Sequence, residues 1–407
     1  MRRFMIARAF AVSALAAVAC LLAAPESAAE NKAVPSISLE GGWDSNIFNS
    51  STDDVSDVTL RARPGLELFF DAFQTTASVS AFLEFEKFID NKDLEDNPST
   101  IDLRLSAAKP MQIAPRFSLS PYLGFLETTD SWRRNQLISP PAPGIPPVDQ
   151  VVTGRTKQRY YLAGIRMDYL VSPRVDFSLG GGATKTDRLP SVADPSPEDS
   201  RTIFGDTTLE YRFNPKLSTG VYFNANVNSW DRSPDTRILS GGLTGTYEIG
   251  EQYTLTGRAG VAHYSEDAGP ASEGTDDWTP TASFFFVYTK KHFSANLAAS
   301  TEPSGGSGFG VITDRLTAYL SLTDQFAEGW WWDLSGSYQR NKSIDQPTDE
   351  TIDTWWGAAG IRYTATKWAS LYIKGDIYRQ RDTAGAEGDI DRETVYAGVE
   401  LSTFFLY

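Results

Sequence analysis

The strongest constraint in this chain is a strict alternation of apolar and polar residues that returns in segment after segment. In Tyr161-Ala163-Ile165-Met167-Tyr169-Val171 every odd position is apolar, while the intervening Arg166 and Asp168 are charged. Leu217-Thr219-Val221-Phe223-Ala225-Val227 alternates against Asn224, Asn226 and Asn228, and Val395-Ala397-Val399-Leu401 against Thr394, Tyr396, Gly398 and Glu400. Period two over about ten residues means a strand with one apolar and one polar face, because successive side chains of an extended backbone point to opposite sides.

Eighteen such segments are predicted, at 36–45, 56–70, 75–87, 99–108, 116–128, 158–171, 174–187, 201–213, 217–229, 237–249, 253–264, 278–289, 292–301, 312–323, 330–340, 352–364, 369–380 and 392–407. Their connections alternate in length. Short ones fall at Asp71-Ala72-Phe73, Ser172-Pro173, Asn214-Pro215-Lys216, Gly250-Glu251-Gln252, Lys290-Lys291 and Ala365-Thr366-Lys367, with slightly longer members at 109–115 and 324–329. Long ones, rich in Pro, Gly, Asp and Ser, fall at 46–55, 88–98, 129–157, 188–200, 265–277, 302–311, 341–351 and 381–391, and only 230–236 is brief.

An even number of alternating strands, with tight turns at one rim and long loops at the other, predicts an all-β fold: a transmembrane antiparallel β-barrel of about 18 strands with both termini periplasmic. Closure is required because lipid offers no partner to an unpaired strand edge. A large soluble sandwich or propeller also alternates, but three features favour the membrane. The apolar face is continuous while Arg, Asp, Glu, Asn and Ser fill the other. The 10 Trp, 17 Tyr and 23 Phe concentrate near strand ends, where rings suit the lipid headgroup boundary. Tyr169, Phe177, Tyr211, Phe213, Tyr247, Tyr253, Tyr288, Phe293, Trp330, Trp332, Tyr363 and Trp368 lie toward the short turns; Trp43, Trp230, Trp278, Tyr338 and Trp355 lie toward the long loops. The ending Thr403-Phe404-Phe405-Leu406-Tyr407 resembles the last-strand signal read by the outer-membrane assembly machinery.

The N-terminus fits export. Arg2, Arg3 and Arg8 precede an apolar stretch from Phe10 to Ala24, and Ser27-Ala28-Ala29 supplies small residues for a peptidase, so residues 1–29 are read as a signal peptide and 30–407 as the barrel. A cut after Ala24 is the shorter alternative. Cys20 raises lipidation as another, although Ala17-Val18-Ala19 lacks the usual large aliphatic residue. Removing residues 1–29 takes Arg2, Arg3, Arg8 and Glu26 with it, shifts the formal charge from -15 to -17 and removes the single cysteine. So acidic a chain, with a pI near 4.7, does not suit a nucleic-acid partner. Two histidines and one cysteine give almost nothing from which to build a zinc, haem or iron-sulfur site, and no cofactor is expected. Mean hydropathy is -0.31, too polar for a helical membrane protein, and after the signal no apolar run approaches the roughly 20 residues of a spanning helix.

Eighteen strands enclose a lumen too wide for side chains alone to fill. Its expected lining is mixed in sign: Arg61, Arg63, Arg104, Arg166, Arg212, Arg258, Arg315, Arg362 and Lys374 against carboxylates that include Asp168, Asp206 and Glu210. Neither a basic nor an acidic excess marks an ion-selective pore. A lattice of salt bridges bracing the wall and a polar path for a hydrophilic solute both fit. Tyr319, Trp356, Tyr372, Tyr378 and Tyr396 also face inward, as barrel packing or as faces that could stack on sugar rings. The loop at 129–157, with Trp132, Arg133, Arg134 and the proline-rich run 139–147, is the candidate constriction if it folds inward, and an extracellular loop if it does not. Surplus acid gathers in the outer loops, as at Asp53-Asp54 and Asp276-Asp277. His263 at a long-loop end and His292 at a short turn are separated by about the ~25 Å height of the apolar band, so they cannot act together and no enzyme is expected.

The opening Gly41-Gly42-Trp43-Asp44-Ser45-Asn46-Ile47-Phe48, followed by Asp57-Val58 and Arg63-Pro64-Gly65-Leu66-Glu67-Leu68, resembles the β-barrel porin 2 family of proteobacterial outer-membrane proteins. There an aromatic-Asp-Ser-Asn-hydrophobic motif ends the first strand and a proline marks the second. The resemblance implies a channel connected with polysaccharide export, while the barrel pattern itself implies a Gram-negative outer-membrane location, partners in lipid, lipopolysaccharide and the assembly machinery, and passage of hydrophilic solutes as the wider reading. It supplies no catalytic residues. A non-conducting scaffold barrel of an envelope assembly is the alternative. Asp44 and Asn46 are expected to cap the turn into the first loop.

Overall fold

The computed structural model describes residues 31–52, 54–72, 75–94, 98–129, 155–189, 198–231, 233–268, 274–305, 312–344, 350–383, 388–403 and 405–406. The expected signal peptide at 1–29 and the constriction candidates Trp132, Arg133 and Arg134 lie outside them. In chain order the strands are β1 (Lys32–Asp44), β2 (Asp57–Ala72), β3 (Thr75–Phe88), β4 (Thr100–Lys109), β5 (Met111–Ala114), β6 (Phe117–Thr128), β7 (Gln158–Ser172), β8 (Val175–Arg188), β9 (Ser200–Asn214) and β10 (Leu217–Trp230). Then follow β11 (Thr236–Ile249), β12 (Tyr253–Glu266), β13 (Thr275–Lys290), β14 (Phe293–Gly305), β15 (Ile312–Ala327), β16 (Trp330–Ser343), β17 (Thr351–Thr366), β18 (Ala369–Asp382), β19 (Ile390–Ser402) and β20 (Phe405–Leu406). Among the described residues the one helical turn is Lys92–Leu94.

Consecutive strands pair antiparallel, except that β4 and β5 both pair with β6 and β20 joins β1, and β19 pairs with β1 from Asp44↔Thr394 to Ser36↔Ser402, which closes the sheet on itself. Twenty segments make eighteen wall strands. β4 and β5 are two halves of one strand broken at Pro110, which has no N–H to give the ladder. β19 and β20 are consecutive partners of β1. The fold is a closed, antiparallel, 18-stranded β-barrel.

Two connections are shorter than predicted. Residues 109–115 contain β5, leaving a turn at Pro115-Arg116, and β15 runs on to Ala327, leaving Glu328-Gly329 with Gly329 in the left-handed region at φ 74°. Several strands also extend past their predicted ends. β13 starts at Thr275 and not at 278, β14 reaches Gly305 and not 301, and β16 reaches Ser343 and not 340. Alternation fades there because the outward face turns from apolar to charged. Outward ion pairs collar the long-loop end, with Arg159–Glu127 at 2.5 Å, Lys185–Asp187 at 2.6 Å, Arg340–Asp353 at 2.8 Å and Arg381–Asp391 at 2.8 Å.

Below that collar the outer face is a continuous apolar band. Ile203, Val221, Leu243, Val261, Ile373, Ile377 and Val395 are all exposed there. An apolar surface this extensive is stable against lipid and not against water. Rings edge it at the short-turn rim: Tyr253 stacks on Tyr288 at 4.5 Å, Trp330 on Tyr363 at 4.6 Å, and Tyr211 meets Phe213 edge-on at 4.9 Å. A 14-residue strand such as β10 spans roughly 46 Å at ~3.3 Å per residue, or roughly 33 Å along the axis when tilted ~45°. That exceeds the ~25 Å apolar band, so strand ends stand clear of it.

Candidate functional site

The predicted lining residues occupy the inner face. Arg61, Arg63, Arg104, Arg166, Arg212, Arg258, Arg315, Arg362, Lys374, Asp168, Asp206, Glu210, Tyr319, Trp356 and Tyr372 all alternate with apolar residues of the outer face on their strands, most of them exposed. Most of the charges are paired. Arg61 meets Glu86 at 2.8 Å, Arg104 meets Asp102 at 2.8 Å, Arg212 meets Asp176 at 2.8 Å and Arg315 meets Glu302 at 2.8 Å. Arg166 lies 3.2 Å from Asp168 and 3.7 Å from Asp206, and Ser218 donates to Glu210 at 3.3 Å. Arg258 sits over the Tyr222 ring at 5.2 Å. Mixed sign in the sequence thus becomes a bracing lattice in the wall.

Inward rings lie flat because glycines pair beside them. Tyr122, Gly164, Gly182 and Phe204 occupy one row across β6–β9, and a Cβ on Gly164 would collide with the Tyr122 hydroxyl while one on Gly182 would come within 2.8 Å of Phe204. Gly260 accommodates Tyr222, whose hydroxyl reaches Thr281 at 3.2 Å, and Gly65 accommodates Phe82. Tyr372 lies over Gly398 and donates to Glu40 at 2.6 Å. Tyr378 takes the packing alternative and not the stacking one. It is 1 % exposed, packed with Ile390 and Trp356, because the outer half of the lumen is filled around it.

That filling begins with the first loop, which turns inward. Arg392 donates to both carboxylate oxygens of Asp44, at 3.0 and 2.6 Å, and to Asn49 Oδ1 at 2.7 Å, with both ionic side chains 3 % exposed. Asn46 is fully buried; its amide group donates to Ser50 O, Asp54 Oδ1 and Asp391 O, and its Oδ1 accepts from Ser50 N. The Asn46 amide closes a turn on Asp44 Oδ1 at 3.1 Å, the capping expected of this pair. Asn49 adopts φ 52°, a left-handed position that Asn tolerates. Arg155 ties the loop to β3, bonding Glu86 at 2.7 Å and lying 4.9 Å over Phe88. Neither Arg155 nor Arg392 stands out in the sequence, since alternation gives no rank to one charge at a strand tip. At the same rim, partial burial works to raise the Asp57 carboxyl. Hydrogen bonds from the Asn91 side chain and from the Asn91, Asp90 and Val58 amides outweigh it and hold the group below the ordinary aspartate range.

The short-turn half is open. It holds a recess of about 250 Å³ lined by Arg63, Phe82, Arg362, Tyr372, Lys374 and Glu400, among others, from β2, β3 and β17–β19. The sequence-predicted Arg63, Arg362, Lys374 and Tyr372 converge here; Phe82 was not predicted. Its cations are held loosely. Arg362 is 3.3 Å from Glu400, Lys374 3.6 Å from Asp376 and Arg63 3.8 Å from Asp102. Arg63 lies 4.6 Å over Phe82 and Arg362 5.9 Å from the Tyr372 ring centre. Donors and ring faces therefore point into one open cavity, an arrangement that can bind and release a polar solute but offers no nucleophile–base pair among its lining residues. His263 bonds Asp276 at 2.5 Å and packs on Trp278 outside the barrel, and His292 lies in the β13–β14 turn at the opposite rim.

Comparison with known proteins gives only outlines. The sequence matches no protein-family model, that of the β-barrel porin 2 family included, and no curated protein. Among solved structures it is similar to the Pseudomonas aeruginosa outer membrane protein OpdK, at 12 % identity over 92 % of this chain and 99 % of that one with a TM-score of 0.45. It is likewise similar to P. aeruginosa OccK2 (OpdF), solved in complex with glucuronate, at 13 % identity, 91 % and 98 % coverage and a TM-score of 0.46. A third is Acinetobacter baumannii OccAB4, at 12 % identity, 92 % and 98 % coverage and a TM-score of 0.46.

Proposed function

We propose that the protein is a porin-like channel of a Gram-negative outer membrane, non-enzymatic and free of cofactors, that passes small hydrophilic solutes by diffusion. The observation that carries this reading is the two-faced wall: a closed barrel, apolar all round outside and charged within. Lipid and lipopolysaccharide would meet the outer face, and the assembly machinery the C-terminal strand. The basic and aromatic recess is the selecting element on the path. A lumen whose outer half is filled by buried side chains suits small solutes better than a polymer in transit, and polysaccharide passage is the rival cargo. The same filled half is what favours the scaffold alternative.

Liposome swelling with sugars of rising size separates these readings. A channel for small solutes admits monosaccharides and excludes long oligomers, and R362Q/K374Q changes the rate for charged solutes more than for neutral ones. Equal entry of long oligomers points to polysaccharide, and no entry of any solute refutes the channel.

A further inference from the structure

The outward charges that collar the long-loop end are not spread evenly. Around β16–β19, Arg340, Arg379 and Arg381 face Asp353, Asp389 and Asp391, and near β11–β13 Arg237 faces Asp267 while His263 faces Asp276. Across β6–β9, by contrast, four cations share two carboxylates. Lys157 and Arg159 both bond Glu127, at 2.9 and 2.5 Å, and Lys185 bonds Asp187 at 2.6 Å. Arg201 has no carboxylate within ion-pairing distance among the described residues. The acid nearest to it in sequence, Asp199, accepts from the Arg188 amide at 2.8 Å.

Lys185 and Arg201 are also direct cross-strand partners on β8 and β9. Both are exposed on the outer face, where Arg201 alternates with Ile203. Like charges set directly opposite one another, with Cβ atoms about 5 Å apart, repel and cost stability unless an anion lies between them. The same row continues to Tyr161 on β7 and Phe125 on β6, whose rings meet at 5.2 Å. Ile203 and Ile165, both exposed, lie beneath the row in the apolar band. Rings and aliphatic side chains thus run beside and below a cationic pair, at the height where lipid headgroups begin.

We infer that Lys185 and Arg201, with Arg159 beside them, form a binding site for the phosphate groups of lipopolysaccharide, whose acyl chains lie along the apolar face beneath. This rests on the outer-membrane reading, with the long-loop rim in the outer leaflet. A phosphate between the two side chains removes their mutual repulsion. It accepts a two-pronged bond from the Arg201 guanidinium and a third bond from the Lys185 ammonium. Long side-chain stems let both heads reach the headgroup layer from strands whose next outward residues are apolar. The balanced sectors at β11–β13 and β16–β19 hold no such excess, so the lipid is gripped on one side of the barrel.

The test is native mass spectrometry of the purified barrel titrated with three probes: lipid A carrying both its phosphates, the same lipid A with the phosphates removed, and phosphatidylglycerol. Near a membrane surface each cation contributes about fivefold to binding an anionic headgroup, so K185Q/R201Q should hold phosphorylated lipid A roughly thirtyfold less tightly than wild type. R379Q/R381Q, from a balanced sector, should match wild type, and K185R/R201K should keep tight binding, which separates lost charge from a damaged fold. Unchanged affinity in K185Q/R201Q overturns the site. So does phosphate-free lipid A or phosphatidylglycerol held by wild type as tightly as the phosphorylated form. Open steps of K185Q/R201Q in planar bilayers, equal to those of wild type, then leave the channel standing. An epitope in a long loop that antibody cannot reach from outside intact cells removes the orientation, and the site with it.

Discussion

Replacing Arg392 with Met should release the first loop from the barrel mouth. The side chain makes three charge-assisted or polar bonds, two to Asp44 and one to Asn49, and both members of the ion pair are 3 % exposed. Solvent therefore screens little of the interaction. Removing one partner of a buried pair costs about 3–5 kcal/mol, because the other charge stays behind without its counter-ion. Asp44 keeps one donor, the Asn46 amide, which places the cost at the lower end, about 3 kcal/mol. At ~1.4 kcal/mol per tenfold, local opening becomes on the order of a hundredfold more frequent. Five amides report it: those of Ser45, Asn46, Ile47, Asn49 and Ser50, all hydrogen-bonded within the latched loop or to Glu393 and Val55. Hydrogen exchange by mass spectrometry should show these amides accelerated in R392M by that factor while amides of β10 and β11 are unchanged. R392K, which keeps the charge but loses the two-pronged geometry, should fall between. Exchange in R392M equal to wild type would refute the latch, whatever the conductance.

Two further outcomes follow from side chains at the rim and the wall. At Gly65 the atoms nearest an added Cβ belong to side chains, the Phe82 ring and then Ser36 Oγ at 2.9 Å, so G65A should destabilise the barrel by about 1–3 kcal/mol and lose most of that effect in an F82A background. Urea unfolding of the reconstituted barrel measures the cycle, and additive costs would reject the ring-on-glycine contact. Asp57 is held below its unfolded value of about 3.9, so its contribution is complete above that pH and is lost as pH falls through the folded value. Protease access to Ile89–Leu94 should rise below about pH 4 in wild type and depend less on acid in D57N. Identical acid profiles would remove Asp57 as the anchor of that turn.

The wall was legible because lipid and water impose a period of two on every strand, which is why β10, β11 and β12 lie within two residues of their predicted ends. Inner and outer faces followed from the same rule, and with them the candidates from Arg61 to Lys374. What fills the lumen was not legible. Asp44 and Arg392 stand at opposite ends of the chain and meet only because β19 closes on β1, a contact no local pattern encodes. The convergence of Arg63, Arg362, Lys374 and Tyr372 on one recess depends on the same closure. One signal was available. Pro280 and Pro303, each inside an otherwise regular strand, mark an edge where the alternation implies an unbroken wall. The candidate constriction at 129–157 falls largely outside the described residues, whereas the first loop and Ile312 at the start of β15 fill the mouth from other parts of the chain.

Single-channel recording of the purified protein in planar bilayers tests the central claim most directly. A solute channel with a latched mouth predicts discrete open steps separated by closures, with longer openings in R392M. A barrel that inserts stably yet stays silent, in wild type and R392M alike, would contradict the account and leave a scaffold in its place.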